Sequence, residues 1–166
     1  MTLATDIKAW DGKSVTVMSN VYARHSKRPS FLAELTSAMA EESLQDGATW
    51  LLKYHLERES PLDEARAKEV LRSLPKLKTW VAKLHVLQSL QWMPIPSRFK
   101  KKLETCLRAC LQEQNKFVRA WAYSGFYELA RQHPEYRLEA QQLCEQAANN
   151  EAASVRARIR NILAEG

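Results

Sequence analysis

The sequence predicts an all-α chain made of helical hairpins stacked side by side. Three observations carry that expectation. Apolar residues recur at helical spacing along nearly the whole chain, and no alternating apolar–polar stretch bounded by turn signals competes with them. Only 4 Gly and 6 Pro occur in 166 residues, which argues against sandwich, barrel, collagen-like and disordered architectures. The segment Thr49-Trp50-Leu51-Leu52-Lys53-Tyr54-His55-Leu56 returns 30 residues later as Thr79-Trp80-Val81-Ala82-Lys83-Leu84-His85-Val86. Thr, Trp, Lys and His are kept in place, and the apolar positions stay apolar. A period of 30–40 residues is the mark of units that each bury a face against the next.

The punctuation places nine helices. Asp11-Gly12 precedes a helix over 13–27, where Val15-Thr16-Val17 looks strand-like until Val21 and Tyr22 continue it at helical spacing. Arg28-Pro29-Ser30 breaks the chain before 30–44, and Asp46-Gly47 separates that helix from 47–58. Ser60-Pro61-Leu62-Asp63 reads as an N-cap serine, a proline at the first helical position and an acid at the third, opening 62–73. A helix over 76–91 ends before Pro94 and Pro96, which lead into 96–113. Helices over 115–131, 135–149 and 152–164 complete the chain, with His133-Pro134-Glu135 opening the second of these. The links are short, so consecutive helices are expected to run antiparallel as neighbours.

Looser copies of the repeated segment occur at Phe117-Val118-Arg119-Ala120-Trp121-Ala122 and at Val155-Arg156-Ala157. They divide one expected domain, 1–166, into hairpins 30–58, 62–92, 95–131 and 135–165, with 13–27 as a cap. The last two hairpins resemble HEAT-type repeats. The likeness rests on Asn115-Lys116-Phe117-Val118-Arg119-Ala120 followed by Gly125-Phe126-Tyr127-Glu128-Leu129. It rests also on Glu151-Ala152-Ala153-Ser154-Val155-Arg156-Ala157 followed by Ile162-Leu163. In the first two hairpins Leu52 and Ala82 stand where the family has arginine. The resemblance implies a right-handed α-α superhelix of about four HEAT-like hairpins plus the cap helix. It also implies a curved binding surface, although a few HEAT-like proteins are DNA glycosylases.

No run of 18 apolar residues occurs, so no transmembrane helix is expected. The first ten residues lack the basic and apolar regions of a signal peptide. Three cysteines, an odd number in helical sequence, fit reduced thiols and a cytoplasmic setting. Cys106 and Cys110 share one helix face with Leu103 and Leu107 and read as core. Zinc would need two further ligands that the spacing does not offer, so no metal and no cofactor is expected.

Charge is uneven. The net charge of +6 divides into −1 over residues 1–75 and +7 over 76–166. Between Val70 and Leu103 stand Arg72, Lys76, Lys78, Lys83, Arg98, Lys100, Lys101 and Lys102 without one acid, interleaved with Trp80, Trp92 and Phe99. That is a footprint for a phosphate backbone or an acidic surface. Lys100, Lys101 and Lys102 fall in a helix's first turn, where the macrodipole disfavours cations.

Trp50, Trp80 and Phe117 open the second helices of three hairpins, where they either fix the hairpin angle or line a groove. The paired Lys53/His55 and Lys83/His85 recur in register. Residues two apart on a helix point about 200° apart, so lysine and histidine cannot face one ligand. The histidines read as junction residues hydrogen-bonded to a neighbouring turn. In the HEAT-like pattern the helix-opening arginines, here Arg119 and Arg156, pair with an acid of the adjacent repeat, with Glu113 and Glu151 among the candidates.

No phosphate loop, nucleophile elbow or metalloprotease helix is present. Glu57 with Trp50, seven residues apart on the same helix face, is the sole pair worth testing for base chemistry. The expectation is therefore a non-enzymatic module, monomeric or weakly dimeric. It would hold a protein or peptide on its second helices through Trp50, Lys53, Trp80, Lys83, Arg119 and Arg156. The alternative is a nucleic-acid binder using Lys76, Lys78, Lys83, Trp92, Arg98, Lys100, Lys101 and Lys102.

Overall fold

Side-chain hydrogen bonds between helices repeatedly span 31 to 38 residues, close to one sequence repeat. They were found in a computed structural model that describes residues 1–59 and 61–165. Every regular element among those residues is helical. Ten α-helices are present: α1 (Leu3–Lys8), α2 (Val15–His25), α3 (Phe31–Ala38), α4 (Gln45–Leu56), α5 (Glu64–Ser73), α6 (Trp80–Ser89), α7 (Lys100–Leu111), α8 (Lys116–Gln132), α9 (Arg137–Asn150) and α10 (Ala153–Glu165). Single 3-10 turns at Glu42–Leu44, Leu74–Lys76, Leu90–Trp92, Ser97–Phe99 and Pro134–Tyr136 take up the ends of the longer stretches expected from periodicity.

The caps explain where several helices begin. The side chains of Thr2, Ser14, Asp63, Thr79 and Asn115 each accept a backbone N–H in the first turn of α1, α2, α5, α6 and α8. Asp63 therefore caps α5, two residues later than the expected start. The expected cap Ser60 lies outside the described residues.

The chain divides into two compact units, Met1–Met93 and Pro94–Gly166. In the first, α3 packs on α4 and α5, α4 packs on α6, and α1 lies against α2, α3 and α4. Helix α1 has no counterpart in the sequence expectation. It is tied in by the buried Asp6, whose Oδ2 lies 2.6 Å from Nε2 of the buried His25 and 3.1 Å from Arg24. The hydrogen bond from His25 holds the Asp6 carboxyl below its ordinary range.

Gly47 corrects a second reading. It does not separate two helices but lies buried inside α4, where an added Cβ would stand 2.6 Å from Ile7 Cγ2. The glycine is what lets α1 approach α4. Gly12 is the turn glycine, at φ 77°, and Asp11 accepts the N–H groups of Lys13 and Ser14 beside it.

In the second unit α8 packs on α7, α9 and α10, and α9 packs on α10. Its core gathers Ala120, Tyr123, Cys144, Val155, Ile159 and Ile162. Buried His133, just past α8, places Nε2 2.6 Å from the carbonyl of Ile95, whose N–H donates to Gln132 at 2.7 Å.

Candidate functional site

The two copies of the repeated segment lie on packed helices, α4 and α6. Their inward positions agree, since Leu52 and Ala82 are buried, as are Leu56 and Val86. Their polar links agree as well. His55 Nδ1 lies 2.9 Å from the Tyr22 hydroxyl, and His85 Nδ1 lies 3.0 Å from Thr49 Oγ1. Each histidine is thus hydrogen-bonded to a hydroxyl one repeat upstream. Burial lowers both rings' pKa, that of His85 to about 4 with Lys53 adding to the effect. Two neutral rings with engaged Nδ1 atoms hold helices together.

The outward positions of α4 and α6 include aromatic and cationic side chains. Trp80 is 47% exposed, and Trp50, Lys53, Tyr54 and Lys83 are each partly exposed. On α4 the rings of Trp50 and Tyr54 stack at 4.7 Å with planes 18° apart. Trp10 lies 6.5 Å from Trp50, and Tyr22 lies 5.0 Å from Tyr54, so four rings form a continuous row. The Arg58 guanidinium lies over an interior ring of this row, 3.3 Å from the centre of Tyr54. Trp10, Tyr22 and Tyr54 were not singled out from the sequence. The four-residue spacing of Trp50 and Tyr54 could have marked one pair, but the other two rings arrive through tertiary packing.

Glu57 is drawn into this surface rather than standing alone. Lys53 Nζ lies 2.5 Å from one of its oxygens and Arg58 lies 3.6 Å from the other.

The basic segment is spread over both units. In the first unit Lys76 and Lys78 are exposed, and the Gln45 amide bridges the Lys76 carbonyl and the Lys78 N–H, each at 2.9 Å. Trp92 is partly buried, and its carbonyl accepts the Leu62 N–H. In the second unit Arg98 sits 5.2 Å from the Phe99 ring, and Lys102 is exposed. Lys100 pairs with Glu135 at 2.6 Å and Lys101 with Glu104 at 3.2 Å. These carboxylates offset the macrodipole penalty, so local stability does account for two of the three lysines.

Arg119 is engaged within its own unit. It donates to Glu151 at 2.9 Å and to the carbonyls of Glu113 and Gln114 at 2.9 and 2.8 Å. Arg156 is exposed on α10. Phe117 is 48% exposed in the first turn of α8. Cys110 and Cys144 are buried and Cys106 is half-buried. Among the described residues no group of three or more His, Cys, Asp or Glu could hold a metal ion. No helix among them is long and apolar enough to cross a membrane. No family model matches the chain, and neither does any curated protein or solved structure.

Proposed function

We propose that the chain is a non-enzymatic binding module of HEAT-like helical repeats, which holds a protein or peptide segment on the outward surface of α4 and α6. The observation that carries this reading is the matched, partly exposed pair of sets on adjacent helices, Trp50 with Lys53 and Trp80 with Lys83. Aromatic side chains left in water beside lysine stems supply the rigid contact area that dominates protein interfaces. The repeat reading is supported by the links of 31 to 38 residues and by the packing of α3 on α5 and α4 on α6. In the second unit, considered by itself, Arg156 stays exposed on α10 as a separate contact candidate, whereas Arg119 already serves Glu151.

Selection of peptides on the immobilised protein tests the proposal. Peptides that bind the wild type are expected to lose at least tenfold in affinity for Trp80→Ala, whose helical signal stays unchanged because the side chain is half in solvent. Failure to recover any peptide, or peptides indifferent to Trp80→Ala, would sink it.

A second reading rests on exposed Lys76 and Lys78 close to Trp80 in sequence, a combination suited to single-stranded nucleic acid. Labelled DNA titrated at about 50 and 200 mM salt separates the two. Nucleic-acid binding falls steeply with salt, with a log–log slope of about −0.7 per phosphate on single strands. Peptide binding through aromatic rings changes little.

A further inference from the structure

A hollow of about 440 Å³ opens on the second unit between the end of α8, the first half of α9 and the end of α10. Its walls include Ala130, Ala140, Cys144 and Ile162, all buried, and the last two belong to the unit's core. The small side chains of Ala130 and Ala140 leave the space. Leu163 stands at the lip with 51% of its surface in solvent. A ligand tail entering here would extend the core and cover an aliphatic side chain that water now meets.

The charged part of the rim is cationic, beside the neutral polar groups of Tyr127 and Gln141. Arg131 and Arg137 both line the hollow. Arg131 is committed to Glu128, 2.9 Å away. Arg137 is exposed in the first turn of α9, a position where the macrodipole disfavours a cation. Lys100 and Lys101 hold the same position on α7, and each has a carboxylate partner. Among the described residues Arg137 has none. A cation placed against the local field, at the mouth of an apolar hollow, is set to meet an anion from outside. Guanidinium matches carboxylate geometry in a two-bond fork.

We propose that this hollow binds a small amphipathic carboxylate, a medium-chain aliphatic acid. Its tail lies over Ala130, Ala140 and Cys144, and its carboxylate meets Arg137. The site lies wholly within the second unit and does not depend on the surface of α4 and α6.

Calorimetric titration of the full chain with octanoate, and in parallel with octanol, tests the assignment. Octanoate is expected to bind at one site at least tenfold more tightly than octanol. Arg137→Gln should bring octanoate down to the level of octanol, since it removes the charge and leaves the hollow. Ala140→Trp should abolish binding of both by filling the space. Because a filled core edge can misfold, Leu163→Glu gives an independent check. Position 163 is half in solvent. A carboxylate there should weaken octanoate about tenfold more than octanol, because octanol loses only the apolar contact while octanoate also meets a like charge. Octanol binding as tightly as octanoate, or octanoate binding unchanged in both Arg137→Gln and Leu163→Glu, would overturn the proposal. So would the absence of octanoate binding at millimolar concentration.

Discussion

At Gly47 the distance of 2.6 Å between a built Cβ and Ile7 Cγ2 leaves no room for alanine unless the Ile7 side chain or α1 shifts. Helix propensity would favour the change by about 1 kcal/mol, whereas overpacking typically costs about 1–3 kcal/mol. Gly47→Ala is therefore expected to destabilise, and urea denaturation should show a lower midpoint. A higher midpoint would mean that α1 yields freely. His85 makes a different kind of contribution, through protons. Its ring titrates near 4 when folded and at about 6.5 when unfolded. Between those values the unfolded chain binds a proton that the folded chain refuses. Stability is thus lost as pH falls from about 6.5 to about 4, by at most about 3 kcal/mol. His55, lowered in the same direction, adds to the loss. His85→Gln should shrink the stability difference between pH 7 and pH 4.5 measured by denaturation. An unchanged difference would show that the ring is not protected from protons. The Gly47 effect is hidden in the sequence, since Asp46-Gly47 has the composition of a turn; the repeat marks His85 as a junction residue, but not how far burial shifts its titration.

At the scale of elements, periodicity revealed most helices because each buries a long apolar stripe. It missed α1, whose six residues are too few to show a period. It overran α3 and α6, where single 3-10 turns continue the apolar spacing with a different twist. The aromatic openings were visible as spacing, but their exposure was not. The same interval serves core and surface, and only packing decides that Trp80 faces water while Leu52 does not. Polar links between α7 and the segment that follows α8 were equally hidden, because Glu104 and its partner Tyr136 lie 32 residues apart. Burial pushes the Glu104 carboxyl up, yet hydrogen bonds from Arg108, Tyr136 and Lys101 overcome that and hold it at about 2. A carboxylate whose folded pKa is depressed stabilises above its unfolded value and loses that contribution as pH falls from about 4.5 to about 2. Glu104→Gln should cost about 2 kcal/mol at neutral pH. It should also flatten the acid limb of stability in that window, as thermal melts at pH 7, 4 and 2.5 would reveal. An acid limb as steep as the wild type's would remove Glu104 from the account.

For the whole molecule, composition was informative about class and silent about purpose. It announced helices, and it announced excess positive charge after residue 75, but not that Lys100 and Lys101 are neutralised at once by their neighbours. Nor did it announce the division at Met93, because the repeat pattern runs through that point. Each unit has its own buried apolar set, the property that lets a domain fold by itself. Residues 1–93 and 94–166, produced separately, should each give a helical circular dichroism spectrum and a cooperative melt. An unfolded second fragment would mean that its core depends on the first. The bonds that cross between helices also set a clock. Within each unit the links at Thr36, Thr49, Ile95 and Tyr136 reach 32 to 37 residues along the chain. Those links are themselves long-range, but they tie together helices whose own contacts are local, and helical chains rich in local contacts refold in microseconds to milliseconds. Stopped-flow refolding should therefore finish within its first instants, and a dominant phase of seconds would mean that some slower, more distant search governs the chain.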